Sequence, residues 1–302
     1  MKILITGATG LLGRDLIIKL LDKGYKINFL TTQQNKIDSI YGCKGFYWNP
    51  IRGEIDLNSF ENITHLINLA GESISKPWTK KYKIKLIQSR VLSSQVIFNS
   101  LEDLNLKLDS IISASAIGYY PSSYTKVFKE SVIYSPENFL QKIVCKWETS
   151  INELKIHSKR LVKLRFGIIL SDKGGVLSKL TIPIKFGVGS SFGSGKQWQS
   201  WIHIEDVSNL ILYSLERNLN GIFNAVSPNP IKQFELIKCL GKRLKRPIFF
   251  PNIPEKIVDI LLGERSCLLL DSHNVSADKV LKSGFKFNFE DFNHAIKNLK
   301  LK

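Results

Sequence analysis

The chain has few of the residues that mark disulfide-stabilised or membrane-spanning proteins. It has only four cysteines in 302 residues, with no C-x-x-C pair, at Cys43, Cys145, Cys239 and Cys267. We therefore expect reduced core thiols rather than a disulfide framework. No uncharged apolar run approaches the roughly 18 residues that cross a bilayer, and no charged and apolar leader precedes the first predicted strand. These absences predict a cytoplasmic protein without a membrane span.

Residue groupings typical of metal sites and hydrolases are also missing. The five histidines are isolated from one another and do not cluster with the cysteines, and no spacing among these residues matches a zinc site. Ser115 is not part of a G-x-S-x-G motif, which argues against a hydrolase triad. The sequence predicts no bound metal.

Acidic residues are outnumbered, at 26 Asp and Glu against 43 Lys and Arg, which gives a formal charge of +17. Such a charge permits contact with nucleic acids or anionic lipids. The lysines are dispersed, however, and no helix-turn-helix, zinc finger or RNA-binding aromatic motif accompanies them. This pattern favours solvated lysine faces and argues against a nucleic-acid partner, while the oligomeric state and any protein partner stay open.

Apolar strand-like stretches alternate with amphipathic helix-like ones through the first half of the chain. This alternation predicts an α/β fold, with a parallel sheet covered by helices on both faces. After residue 166 it loosens, which predicts a smaller, mostly helical lobe. The predicted strands are Lys2–Thr6, Lys26–Thr31, His65–Ala70, Asp109–Ser115 and Leu161–Phe166, and the predicted helices are Leu11–Asp22, Lys80–Leu104 and Phe139–His157.

A glycine-rich turn follows the first predicted strand and reads Thr6-Gly7-Ala8-Thr9-Gly10-Leu11-Leu12-Gly13. The first glycine makes the tight turn, the second lets backbone N–H groups approach a pyrophosphate, and the third lets the helix pack close to the strand. The turn therefore predicts a doubly wound, Rossmann-type sheet with a dinucleotide held at Gly7, Thr9, Gly10, Leu11, Leu12 and Gly13.

This G-x-x-G-x-x-G spacing resembles that of the extended short-chain dehydrogenase/reductase superfamily. Three further segments are similar to motifs of that superfamily: Asn68–Glu72, Ser113–Tyr120 and Trp201–Val207. Together with Trp78, Ser89-Arg90 and Gly263-Glu264, they resemble one epimerase-like subfamily, some members of which are described as cell-division inhibitors of cyanobacteria and plastids. The resemblance implies a dinucleotide-binding domain over residues 1–170, rejoined by segments around 199–227, and a substrate-binding lobe over residues 171–302.

The resemblance also implies the rest of the cofactor site. It adds Thr31, Thr32, Leu69, Ala70, Gly71, Glu72 and Gly167 to the glycine turn. NAD-binding chains carry a carboxylate at the end of the second strand, and this chain has Thr31-Thr32-Gln33-Gln34 there. We therefore expect NADP(H) in preference to NAD(H), although the subfamily has arginine where this chain has Thr32. Lys36 or Arg14 could supply the charge.

The superfamily's Tyr-x-x-x-Lys pair has no counterpart. None of the nine tyrosines is followed by a lysine four positions later. By resemblance, Phe139 or Leu140 occupies the tyrosine position and Val144 the lysine position, so the usual acid/base pair is absent.

Two residues are candidates for catalysis and four for substrate binding. Ser115 matches the superfamily's catalytic hydroxyl and Tyr119 is a candidate proton carrier, with a strand-end serine and a packing tyrosine as the alternatives. The substrate candidates are Arg165, Lys196, Trp201 and His203. For Arg165 the alternative is a structural ion pair, and for Trp201 it is core packing. These residues predict an NADP(H)-binding, epimerase-like oxidoreductase with a small polar or sugar-like substrate. The alternative is a catalytically inactive NADP(H)-binding regulator, for example one related to cell or plastid division.

Overall fold

An eight-stranded sheet organises the computed structural model of the chain, which describes residues 1–301. The strands are β1 Lys2–Thr6, β2 Lys26–Thr31, β3 Cys43–Asn49, β4 Glu54–Ile55, β5 His65–Asn68, β6 Ser110–Ala116, β7 Val127–Phe128, β8 Leu161–Phe166, β9 Ile168–Leu170, β10 Trp198–Gln199, β11 Trp201–His203, β12 Gly221–Ala225, β13 Ile231–Lys232 and β14 Asn274–Val275. The helices are α1 Leu11–Asp22, α2 Lys80–Asp103, α3 Phe139–Glu153, α4 Val176–Lys185, α5 Ile204–Glu216, α6 Gln233–Arg243, α7 Glu255–Leu262, α8 Cys267–Leu270, α9 Asp278–Lys282 and α10 Phe292–Asn298.

The strand order of the large sheet is β12-β8-β6-β5-β1-β2-β3-β4. β1 pairs in parallel with both β2 and β5, β5 pairs in parallel with β6, and β4 runs antiparallel to β3 at the edge of the sheet. The chain moves outward from β1 through β2 to β4 and then returns to the other side of β1. Ligands of doubly wound sheets bind where the strand order reverses, at the carboxyl ends of the strands.

The predicted α/β fold with a Rossmann-type sheet is confirmed, and β1, α1, β2 and β8 have the predicted bounds. β3 and β4 were not among the predicted strands. Gly45 interrupts the apolar pattern of β3. A Cβ at this position would lie 2.6 Å from the ring of Phe29 in β2. The residue that weakens the strand pattern is therefore the one that allows β3 to pack against β2.

Two compact units make up the chain. The first contains Met1–Ser115, Lys142–Leu164 and Ser208–Phe223, and the second contains Ala116–Gln141, Arg165–Val207 and Asn224–Lys302. The core of the second unit joins β9, α4, α6 and α10 around buried apolar side chains that include Trp201 and Phe292. The assignment of residues 1–170 to the cofactor and of 171–302 to the substrate stays a prediction.

The four cysteines are free and half-buried, so the expectation that they are core thiols was wrong as to their depth. Over residues 1–301, no helix combines the length and the apolarity that a bilayer span requires. In the same part of the chain, no three His, Cys, Asp or Glu side chains come together as a metal site would need.

Candidate functional site

The glycine turn between β1 and α1 is shaped by close backbone contacts. Gly7 has a φ of +70°, and a Cβ at this position would lie 2.6 Å from the carbonyl oxygen of Leu69. A Cβ on Gly13 would collide with the backbone of Gly7 and Ala8. Both glycines are therefore required by the protein itself, since only they let β1, β5 and α1 approach so closely.

Gly10 is a glycine of a different kind. It is exposed, its φ is −78°, and a Cβ there would meet one atom, the Gly7 carbonyl oxygen, at 3.1 Å. No side chain caps the start of the 12-residue helix α1, and its first turn has no acidic residue. The turn thus presents backbone N–H groups and a positive helix end that no side chain caps. This donor set fits the pyrophosphate of a dinucleotide.

Polar side chains join the carboxyl ends of β1 and β5 to the middle of β6 in the first unit. The Thr6 hydroxyl donates to Asn68 Oδ1 at 2.7 Å and accepts the backbone N–H groups of Leu69 and Ala70, both at 3.1 Å. Asn68 Nδ2 in turn lies 3.4 Å from Ser113 Oγ. Thr6, Asn68 and Ser113 are fully buried, so they fix the segment that faces the glycine turn. Thr6 and Asn68 could have been identified from the sequence, because each is a polar residue at the end of a buried strand.

The end of β2 and the residues that follow directly, Thr31–Asn35, present hydroxyls and amides without a carboxylate. Thr31 is buried, and its hydroxyl accepts the N–H of Gln33 at 3.2 Å. Thr32 is exposed, as is Arg14, and Lys36 is half-buried. Thr31 therefore shapes the turn, and Thr32 is the member of the pair whose side chain faces solvent.

Helix α2 fixes Glu72, the last of the cofactor candidates after β5. Its carboxylate pairs with Lys85 at 2.7 Å, and this hydrogen bond lowers the pKa of Glu72. Arg90 donates to the Glu72 carbonyl oxygen at 3.0 Å, and burial lowers the pKa of Arg90 to about 10. Gly71, between Ala70 and Glu72, is exposed.

Ser115 belongs to a buried polar cluster that the sequence analysis missed. Its hydroxyl donates to Glu148 Oε1 at 2.6 Å, and Glu148 Oε2 lies 3.3 Å from Lys163 Nζ. Lys163 also donates to Asn152 Oδ1 at 2.8 Å. Glu148 and Asn152 share one face of α3, four positions apart, and this spacing was the only sequence signal of the cluster.

In the second unit, Arg165 is buried among aromatic side chains. Its guanidinium carbon lies 3.6 Å from the centroid of the Tyr119 ring, and its Nη1 donates to the Tyr120 hydroxyl at 3.0 Å. Tyr120 in turn donates to Asn224 Oδ1 at 2.7 Å. Burial raises the pKa of Tyr120 to about 12, which makes it a structural hydrogen-bonding group rather than a proton donor near neutral pH.

Tyr119 is the half-buried neighbour of Tyr120, and its hydroxyl accepts the backbone N–H of Tyr134 at 3.4 Å. The single long hydrogen bond leaves the phenol less constrained than that of Tyr120. The structure therefore distinguishes the two adjacent tyrosines, and only Tyr119 combines a weakly held hydroxyl with exposed surface.

The remaining substrate candidates differ sharply in exposure. Lys196 is exposed, whereas Trp201 is 0 % and His203 2 % exposed. Trp201 donates its indole N–H to the Asn229 carbonyl oxygen, and the His203 ring lies 3.9 Å from that of Phe289. This placement favours core packing, the alternative given for Trp201, and gives His203 a similar role.

Close packing also accounts for Gly167. A Cβ there would lie 2.5 Å from the carbonyl oxygen of Ser200. Its lack of a side chain therefore has a reason within the second unit, independent of any cofactor.

Apolar side chains stand at the two positions that the resemblance assigns to the missing pair. Leu140 is 9 % and Val144 2 % exposed. Leu140 covers Gly118, where a Cβ would lie 2.9 Å from the leucine side chain. Neither position presents a group that can transfer a proton.

The sequence of this chain is similar to those of known proteins. Residues 3–141 match the NAD dependent epimerase/dehydratase family, and residues 253–299 match a domain of unknown function, DUF1731. The chain is 34 % identical to epimerase family protein SERP0438 of Staphylococcus epidermidis, over 99 % of this chain and 98 % of that protein. It is 33 % identical to SAR0825 of Staphylococcus aureus, over 98 % of each.

Solved structures show the same fold. Human epimerase family protein SDR39U1, solved with NADPH, aligns with a TM-score of 0.88 at 25 % identity over 99 % of each chain. A nucleoside-diphosphate sugar epimerase from Corynebacterium glutamicum aligns with a TM-score of 0.78 at 25 % identity, over 98 % of this chain and 57 % of that one. With its NAD(P)-binding Rossmann-type fold, the chain therefore belongs to the epimerase family of the extended short-chain dehydrogenases/reductases.

Proposed function

We propose that this protein is an NADP(H)-dependent oxidoreductase that acts on a small polar or sugar-like substrate. The observation that carries the proposal is the uncapped, side-chain-free start of α1 at Gly10, beside the strand-order reversal of the sheet. A protein that needed only a scaffold would have no reason to keep this turn open. Support also comes from Ser115 at the carboxyl end of β6, within the same unit.

The preference for NADP(H) rests on charge. No carboxylate stands at the end of β2 or in the next four residues, Thr32–Asn35, to repel a 2′-phosphate, and Arg14 and Lys36 bring positive charge to the same unit. The human relative SDR39U1 was solved with NADPH. In this proposal, Gly7–Gly13 hold the pyrophosphate, Thr31 and Thr32 the adenosine ribose, and Leu69–Glu72 the nicotinamide side.

The bound cofactor would donate or accept a hydride, which leaves the proton to this chain's own residues. We assign Ser115 to the substrate oxygen and Tyr119 to the substrate side, where Arg165 holds its ring in place. Lys196 is the remaining exposed candidate for a polar or phosphorylated substrate. We also assign the protein to the cytoplasm, because its sequence has the low cysteine content of reduced compartments.

A second candidate function is an NADP(H)-binding regulator without catalysis. The observation that favours it is the apolar pair Leu140 and Val144 at the positions of the usual acid and base. This candidate predicts cofactor affinity without turnover, so the two functions differ in one measurable property.

The test is a screen for NADPH oxidation with nucleotide sugars and simple carbonyl compounds, with NADPH affinity measured by nicotinamide fluorescence in parallel. We expect binding and turnover, and a loss of turnover in Ser115→Ala at unchanged NADPH affinity. Tight binding with no turnover across the panel would favour the regulator. A failure to bind NADPH would overturn both functions.

A further inference from the structure

Three side chains of the first unit form a continuous hydrogen-bonded chain in the protein interior. Ser115 is 2 %, Glu148 5 % and Lys163 6 % exposed. A buried carboxylate and ammonium lose their hydration, and a stabilising contribution from such a pair is not guaranteed even when the geometry is good. Stability alone is therefore a weak reason for the Glu148–Lys163 pair. Its contact with the candidate catalytic serine points to a chemical role.

The direction of the hydrogen bonds defines what Ser115 can do. An ionised carboxylate only accepts hydrogen bonds, so the Ser115 proton points at Glu148 Oε1, 2.6 Å away. The lone pairs of Ser115 Oγ then remain to accept a proton from another group. In this state the serine is an acceptor for a substrate hydroxyl rather than a donor to a carbonyl.

We propose that Ser115 and Glu148 form a proton path that takes the place of the absent Tyr-x-x-x-Lys pair, with Lys163 as the counter-ion. This proposal rests on the oxidoreductase function proposed above. Ser115 contacts the substrate oxygen, and Glu148 acts through Ser115. Lys163 and the exposed Asn152, which accepts its hydrogen bond, connect the path to solvent.

The step balances as an alcohol oxidation. The substrate O–H bond breaks and its proton moves to Ser115 Oγ, while the Ser115 proton moves to Glu148 and forms a carboxylic acid. The hydrogen on the alcohol carbon leaves with its electron pair, as hydride, to NADP⁺, and the carbon–oxygen double bond forms. Lys163 then gives one of its protons to solvent beside the exposed Asn152 and takes the proton of Glu148, which restores both charges. Carbonyl reduction is the reverse and begins with protonated Glu148.

A cation faces Glu148. Lys163 approaches from β8, with its Nζ 3.3 Å from Glu148 Oε2, and an opposite charge at this distance favours the ionised form of a carboxyl group. In the proposal, Glu148 therefore begins the oxidation as a carboxylate. Oxidation should therefore become faster as the pH rises through the titration of Glu148, and reduction should become slower over the same range. A residue that only supported the fold would not produce opposite pH dependences.

The experiment compares the wild type with Glu148→Gln and with the double variant Glu148→Gln/Lys163→Met. The double variant removes both charges, so it leaves no unpaired buried ammonium if the single variant fails to fold. Glu153→Gln, at an exposed glutamate of the same helix, is the matched control. Each full-length protein is assayed in both directions from pH 5 to 9, with the carbonyl compound that gives the highest wild-type rate and its alcohol, and NADPH affinity is measured by fluorescence. We expect at least a tenfold loss of kcat and a flat pH profile in both Glu148 variants, with NADPH affinity unchanged.

A second readout needs no turnover. In cofactor-free protein labelled with ¹³C at the glutamate carboxyls, the Glu148 signal is identified by its absence from Glu148→Gln. We expect its titration to move to higher pH in Ser115→Ala, because a hydrogen bond to the carboxylate is lost, and its wild-type midpoint to match the kinetic one. Wild-type turnover that survives Glu148→Gln with its pH profile intact would overturn the proton path alone. Binding of NADPH with no turnover at all would overturn the oxidoreductase function and the proton path with it.

Discussion

The two units present their candidate functional groups in opposite ways. In the first, the glycine turn offers backbone N–H groups; its shape depends on the absence of side chains at Gly7 and Gly13, and its open front on the absence of one at Gly10. In the second, the cluster of Arg165, Tyr119, Tyr120 and Asn224 depends on side chains that come from three distant segments. A site built from one continuous turn is readable from its spacing, whereas a cluster assembled by the fold is not.

The same contrast exists within the glycine turn. Gly7 and Gly13 are required by contacts inside the protein, while Gly10 leaves space in front of the helix. Structure and ligand therefore place separate demands on neighbouring glycines. Substitutions can separate the two demands.

The largest effect is expected from Gly10→Val. Its side chain would stand where the turn is open, so NADPH affinity should fall at least about 100-fold, or about 2.7 kcal/mol, while the protein remains folded. Fluorescence titration and circular dichroism measure the two properties. Gly13→Val, in contrast, should yield little folded protein, because its Cβ collides with backbone. A folded Gly10→Val protein with unchanged affinity would show that the turn does not hold phosphate.

The two tyrosines of the second unit should differ almost as clearly. Tyr120→Phe removes a hydroxyl that pairs with Arg165 and Asn224, so we expect a loss of about 2–3 kcal/mol in the free energy of unfolding. Tyr119→Phe should cost less than about 0.5 kcal/mol, because its hydroxyl makes one long hydrogen bond. Urea denaturation measures both. Equal losses would contradict the assignment of Tyr120 to structure and of Tyr119 to the substrate side.

Much of the fold followed from the sequence because hydrophobic periodicity and glycine spacing are local properties. β1, α1, β2 and β8 were predicted with their observed bounds. β3 was missed because Gly45 breaks its apolar pattern, and the buried Glu148 was missed because a charged residue in an amphipathic helix is normally solvent-exposed. Trp201 and His203 illustrate the opposite difficulty, since residue type alone does not distinguish an aromatic rim from a core.

Thr32→Arg tests the cofactor preference of the first unit. A guanidinium at this exposed position should bind a 2′-phosphate and favour NADPH over NADH by about 1.5–3 kcal/mol more than in the wild type. The ratio of the two dissociation constants measures this change. Ser39→Arg, at an exposed position further along the same connection, should leave the ratio unchanged. An unaltered ratio in Thr32→Arg would place Thr32 away from the ribose.

The smallest effect concerns Asp271 in the second unit. Burial raises the pKa of its carboxyl group from 3.8 to about 6. The folded state binds this proton more tightly than the unfolded state, so stability is lost as the pH rises from about 4 to 6. Asp271→Asn should therefore stabilise the protein by about 1 kcal/mol at pH 7.5, after allowance for solvent screening, and not at pH 3.5. Thermal unfolding at the two pH values measures this difference. Asp259→Asn, at an exposed position of the same unit, is the control for the loss of one carboxyl group.

We propose that the glycine turn and Ser115 belong to one NADP(H) site in the first unit. A crystal structure of the protein with NADPH tests it most directly. We predict the pyrophosphate on the backbone N–H groups of Leu11 and Leu12, in front of Gly10, and the nicotinamide within contact distance of Ser115, with the Ser115–Glu148 hydrogen bond retained. A pyrophosphate bound elsewhere, or a nicotinamide that faces away from Ser115, would contradict the account.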